Sequence, residues 1–135
     1  MASTPRNQEG PVIPSISFST LKDKVLSGEK TQTIRPLRSD YWLKFKKGDR
    51  VVGYWKLRTK ECEKLFEGIL IEDPFKIDAT DFTNELMVRD GFKDITDGLN
   101  SWFKPRYGPD FVIMDFVVLR WEVTQISQQL RTEEK

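Results

Sequence analysis

The apolar positions change period several times along the chain. In ISFS (16–19) they alternate, which predicts a first strand. In TLKDKVLSG (20–28) Leu21, Val25 and Leu26 fall at helical spacing. Ser19 can cap the start and Gly28 can stop the end, so a short helix is expected. KTQTIRPL (30–37) is rich in Thr and Ile and reads as a strand ended by Pro36. RSDYWLKF reads as a loop or a short helical turn. In KKGDRVVGYWKLRT a turn at Gly48-Asp49 leads into a strand, and KLFEGILIED reads as another, broken by Pro74. Gly68 inside that run predicts a bulge or a close backbone approach.

Two helical patterns follow. In TDFTNELMVRDG (80–91) Thr80 or Asp81 can cap, Phe82 and Leu86 share a face, and Gly91 can terminate. In DITDGLNSWFKPRYG (94–108) Asp94 can cap, Ile95, Leu99, Trp102 and Phe103 share a face, and Pro105 is expected to end the helix. DFVIMDFVVLRWEVT (110–124) predicts a long final strand. Val112, Met114, Phe116 and Val118 keep one phase, and Val117, Leu119, Trp121 and Val123 the other. That change of phase fits a bulged, strongly bent strand of a small barrel. The order of elements places the fold in the α+β class: a small β-barrel, closed or nearly closed, with two to three flanking helices. The 135 residues suit one domain. It is expected over residues 11–126, between a disordered N-terminal tail (1–10) and a C-terminal tail (127–135).

The chain has no His, and Cys62 is its single Cys. No disulfide can form within it, and His/Cys zinc sites and Ser-His or Cys-His nucleophile pairs are excluded. Chemistry would have to come from Lys, Asp, Glu, Thr, Ser, Tyr or Arg, and neither a metal nor a cofactor is expected. No apolar run approaches the ~20 residues that span a membrane. MASTPRNQEG carries Arg6 and Glu9 and no apolar stretch, so no secretory leader is expected. A soluble cytoplasmic protein without a membrane partner is the expectation.

Charge is uneven. Residues 30–60 hold ten Lys and Arg against Asp40 and Asp49, a local +8 in a chain of net +1, so the remainder carries −7. Such a block suits an anionic partner such as nucleic acid or a nucleotide phosphate. It also suits solvated faces of strands.

Within that block lies GEKTQTIRP (28–36). Gly28, Lys30 and Arg35 form Gly-x-Lys with Arg five residues after the Lys, just past the first helix. KKGDRV then resembles a turn into a barrel strand, RDGFKDITDGLNSWFKPRYG a segment and helix ending near a Tyr, and FVIMDFVVL a closing strand. In this order the motifs resemble the ASCH domains, which share a β-barrel with the PUA domains, over roughly residues 12–124. The resemblance implies a PUA-like barrel that binds RNA or a modified nucleoside. Two positions depart from the common pattern: Thr33 stands where many members carry Glu, and Asp90 where they carry the Glu of Glu-Gly-Phe. KTQTIR matches the Lys-Thr-x-Thr-Ile-Arg of the bacterial acetylcytidine amidohydrolases. That likeness implies catalytic roles for Lys30, Thr33 and Asp90.

The same residues make chemical sense by themselves. A Thr hydroxyl becomes a nucleophile when a base takes its proton, and a Lys can be that base if burial and a nearby cation such as Arg35 lower its pKa. A carboxylate at Asp90 could orient the Lys or move protons. In a strand Thr31, Thr33 and Arg35 share a side, and Lys30 points away unless it sits in the turn before the pleat begins. YWLKFKKGDR interleaves Tyr41, Trp42 and Phe45 with Lys44, Lys46 and Lys47, which suits stacked bases and phosphates, or equally a cover over one barrel end. Arg106 and Tyr107 could line the same mouth. The leading expectation is a cleft at the Gly28–Arg35 motif that recognises RNA or a modified nucleotide. Gly28, Thr31, Arg35, Arg38, Trp42, Lys44, Lys46, Lys47, Arg106 and Tyr107 are its candidate contacts. The alternative is a metal-free amidohydrolase acting on N4-acetylcytidine or a related amide through Lys30, Thr33 and Asp90. A protein-interaction domain with an inert cleft is the third class.

Overall fold

The apolar run near the C-terminus organises the sheet. The computed structural model describes residues 13–126. The expected tails, 1–10 and 127–135, lie outside the described residues. The strands are β1 (Ser15–Phe18), β2 (Gln32–Pro36), β3 (Arg50–Trp55), β4 (Glu63–Leu70), β5 (Phe75–Asp78) and β6 (Asp115–Ile126). Helix α1 (Lys22–Ser27) lies between β1 and β2, and α2 (Asn84–Arg89) follows β5. A longer helical run, α3, combines an α turn (Ile95–Gly98), a π segment (Leu99–Phe103) and a second α turn (Lys104–Tyr107).

The first half of β6 pairs with β2 on one side and β5 on the other. Its second half pairs with β4. The strand order is β1-β3-β4-β6-β2, antiparallel throughout except for the parallel β1–β3 pair, and it curls into a half-barrel. The fold is α+β, as expected. No described helix is long and apolar enough to cross a membrane.

The two phases read in β6 are both buried. Phe116 and Val118 face one core, with Ile34, Met87 and Phe103. Val117, Leu119 and Trp121 face the other, with Ile16, Phe18 and Phe66. Each such side chain contributes roughly 1.5–3 kcal/mol of burial. The phase change therefore marks a strand sandwiched between two cores, while the bulge in β6 comes later. Glu67 pairs with Gln125 and Gly68 with Val123, so Thr124 is the extra residue. Gly68 meets its expectation: an added Cβ would lie 2.6 Å from the Glu122 carbonyl oxygen.

Four local expectations are corrected. Residues 110–114 are not strand: a 3-10 segment over Gly108–Ile113 with Pro109 in its first turn precedes β6. β5 has no counterpart among the sequence expectations, although its FKID alternates as ISFS does. Pro105 lies inside α3 rather than at its end, in the first turn of an α segment that follows the π segment. Ser19 does not cap α1, whose N-cap Leu21 has no side-chain cap, and Thr83 rather than Thr80 or Asp81 caps α2 through the Leu86 amide.

Candidate functional site

β1 and β2 are the two ends of the strand order and do not pair with each other. A cleft of about 510 Å³ opens at this gap, walled by residues of β1, β2, the 56–59 loop and α3. Edge strands leave main-chain groups free for side chains. Arg35 uses one: its Nη2 donates to the Ser17 carbonyl across the gap.

The floor is set by two glycines. Gly28, at φ 87°, ends α1 by donating to the Val25 carbonyl, and the Lys30 amide turns back to the Lys24 carbonyl at 3.0 Å. Lys30 thus sits before the pleat of β2, and its side chain enters the cleft beside that of Thr33. Gly91, at φ 106°, follows the end of α2. A side chain there would be strained by that φ, and its Cβ would lie 3.0 Å from the end of the Leu21 side chain and 3.6 Å from Lys30. The resulting contact is close: Lys30 Nζ donates to the Asp90 carbonyl at 2.6 Å and to its Oδ2 at 3.2 Å.

Gln32 was not singled out in the sequence, yet it holds this pair. Fully buried, it donates from Nε2 to the Leu86 carbonyl at 2.9 Å and to Asp90 Oδ1 at 3.2 Å, while its Oε1 accepts from Arg120 Nε at 2.8 Å. Arg120 in turn donates to Glu72 at 2.9 Å. A polar residue between two Thr in a strand gives no hint of such a partner set, because every partner comes from another element.

Burial dominates the electrostatics. It pushes the Lys30 ammonium below the usual lysine range, with Arg35 adding to the effect and Asp90 opposing it. It pushes the Asp90 carboxyl up, against the opposing Lys30 charge and the Gln32 and Lys30 hydrogen bonds. Arg35 is likewise pushed down by burial. Its Nε donates to Thr33 Oγ1 at 3.0 Å, and its guanidinium lies 5.4 Å from the centre of the Phe18 ring. No hydrogen bond joins Lys30 to Thr33 among the described residues.

Around the cleft Lys30, Thr33, Asp90, Arg35, Arg38, Arg106 and Tyr107 come together. Arg106 stacks on Trp102 at 4.5 Å. The other candidates lie outside it. Gly28 only ends α1, and Thr31 is half-buried and receives the Trp121 amide at its carbonyl. Trp42 packs edge-on against Tyr41 and beside Phe45, over the Ile16 and Phe18 core. Lys44, Lys46 and Lys47 are exposed on the same turn.

The rim carries strain. Leu21, Lys56 and Arg58, at φ 59°, 48° and 73°, are the non-glycine residues with left-handed backbone among the described residues. Leu21 and Lys56 line the cleft, and Arg58 lies between Leu57 and Thr59, which also do. Such conformations cost of order 1–3 kcal/mol each and concentrate at functional sites.

No protein-family model matches this chain, and no curated protein matches it by sequence. Among solved structures, protein EF3133 from Enterococcus faecalis V583, described as a DUF984 protein, is similar over 90% of this chain and 87% of its own. The identity is 15% and the TM-score 0.61. A hypothetical protein from Leishmania major is similar over 90% and 74% of the two chains, at 13% identity and a TM-score of 0.42. The likeness to the Enterococcus protein shows a shared fold.

Proposed function

We propose that this chain is an ASCH-type domain that recognises a nucleotide, free or as an unpaired residue of RNA, in the cleft between β1 and β2. One observation carries the reading. Arg35, Arg38 and Arg106 line the cleft, and none has a carboxylate oxygen within 4.0 Å among the described residues. The cleft's one acidic side chain, Asp90, is already paired with Lys30. Guanidinium groups suit phosphate oxygens, and a desolvated one such as Arg35, which feels the Asp90 carboxylate only at longer range, gains from an arriving anion. Trp102 and Tyr107 offer rings on which a base can stack.

Titration of a labelled single-stranded RNA by fluorescence anisotropy tests this. Log affinity should fall linearly with log salt, and Arg38→Ala with Arg106→Ala should weaken binding at least ~10-fold and flatten the salt slope. Salt-insensitive binding, or an unchanged affinity in the double variant, would refute the reading.

A second reading rests on a separate observation: Lys30, Thr33 and Asp90 line one floor, with burial lowering the lysine. That arrangement suits an amidohydrolase in which Thr33 attacks after Lys30 takes its proton. Release of acetate from N4-acetylcytidine, abolished by Thr33→Ala and by Lys30→Ala, would support it. No turnover at high protein concentration would exclude that substrate.

A further inference from the structure

The cleft floor holds unspent protons, while the Asp90 oxygens, Thr33 Oγ1, Ser17 Oγ and the Ser17 carbonyl each already accept a hydrogen bond. Each oxygen of Asp90 accepts a hydrogen bond: Oδ1 from Gln32 and Oδ2 from Lys30, both at 3.2 Å, and the main-chain oxygen from Lys30 at 2.6 Å. Thr33 Oγ1 accepts from Arg35 at 3.0 Å, and Ser17 Oγ from the Leu57 amide at 3.1 Å. The Ser17 carbonyl accepts from Arg35. Gln32 cannot turn round to offer its oxygen instead, because Arg120 fixes Oε1 at 2.8 Å and Leu86 fixes Nε2 at 2.9 Å.

The donors are in surplus. An ammonium carries three protons, and Asp90 takes two of those on Lys30. The Thr33 hydroxyl proton has no acceptor among the described residues, and Arg35 keeps N–H groups beyond the two bonds it makes. Lys30 and Thr33 are only 3% and 5% exposed, so water reaches them poorly.

Resting on the nucleotide reading above, we infer that the floor selects its ligand by a carbonyl oxygen set against Thr33, Lys30 and Arg35. The preferred base is therefore one that carries a carbonyl group. Uracil, cytosine and hypoxanthine carry one, and adenine carries none. An adenine amino group against this floor would meet the Lys30 and Arg35 N–H groups with a donor, and could reach only the second lone pairs of oxygens that already accept a bond, so it would leave the floor's spare protons unused. Sites built to hydrogen-bond a polar ligand group reject an analogue that lacks it by large factors. The volume of about 510 Å³ suits a mononucleotide, and the exposed Arg38 and Arg106 stand at the rim for its phosphate.

Calorimetric titration with UMP, CMP, IMP, AMP and ribose 5-phosphate tests this. The tightest of the three carbonyl-bearing nucleotides should bind at least ~10-fold more tightly than AMP. IMP, matched to AMP in size, should also exceed it. Thr33→Val, of similar shape without the hydroxyl, should bring the preference towards one, and Thr33→Ser should keep it. AMP within twofold of the tightest ligand would overturn this inference and leave the nucleotide reading standing. So would a preference that Thr33→Val leaves intact. Nucleotides no tighter than ribose 5-phosphate, or no binding at all, would overturn both.

Discussion

Removing the charge of Asp90 while keeping its shape should be costly. In Asp90→Asn the buried Lys30 ammonium loses a carboxylate 3.2 Å away. At an effective dielectric of ~20 that attraction is about 5 kcal/mol, and breaking a buried pair from one side typically costs ~3–5 kcal/mol. The new amide adds a conflict. Its oxygen can serve Lys30 or Gln32, and its NH2 then faces the other donor. Against a total stability of ~5–15 kcal/mol, the loss should move the urea midpoint far to the left at pH 7. Its pH dependence carries a signature. Burial already lowers Lys30, and Asp90 is the first of the influences opposing that. Without it the folded pKa falls further below the unfolded value of ~10.4. Between those two values the unfolded state binds more protons, so stability rises with pH, and the deficit is full below the folded pKa. The variant should therefore recover part of its loss between neutral pH and pH ~10. Lys30→Met combined with Asp90→Leu should lose less than Asp90→Asn alone. A deficit under ~1 kcal/mol at pH 7, or one that stays flat with rising pH, would refute the account of a buried, mutually dependent pair.

Other outcomes follow from the geometry. Gly68→Ala should destabilise by ~1–3 kcal/mol in chemical denaturation, because its Cβ would press on the Glu122 carbonyl at 2.6 Å, where backbone must move. Gln32→Leu should cost on the order of 3 kcal/mol by the same assay, since it takes the Gln32 partner from Asp90 Oδ1 and from Arg120 Nε and leaves the Leu86 carbonyl with the Asp90 amide alone. Replacing Lys44, Lys46 and Lys47 by Ala should shift stability by no more than ~0.5 kcal/mol, as all three are exposed.

Much of the strand and helix pattern was legible because period and punctuation agreed. Gly28, Gly48 and Gly91 each mark a turn with positive φ, and Thr and Ile fill β2. What was not legible is what depends on other elements. The apolar phases of β6 looked like a kink, since a single strand does not reveal that separate cores lie against its two faces. Lys30, Thr33, Arg35 and Asp90 could be named from motif spacing. Gln32, the Ser17 carbonyl and the strained 56–59 loop could not, because their places come from the unclosed gap between β1 and β2. The aromatic and basic run at 41–47 showed the converse. Its composition suits nucleic acid, yet Trp42 and Phe45 pack over the core, and Lys44, Lys46 and Lys47 do not line the cleft.

The central claim is that a nucleotide occupies the cleft between β1 and β2. Mapping amide shifts in a ¹H–¹⁵N correlation spectrum on addition of UMP tests it most directly. The account predicts shifts clustered on residues 17–21, 30–35 and 56–59, absent from Arg38→Ala with Arg106→Ala at the same concentration. Shifts centred on residues 41–48, or none at millimolar nucleotide, would contradict it.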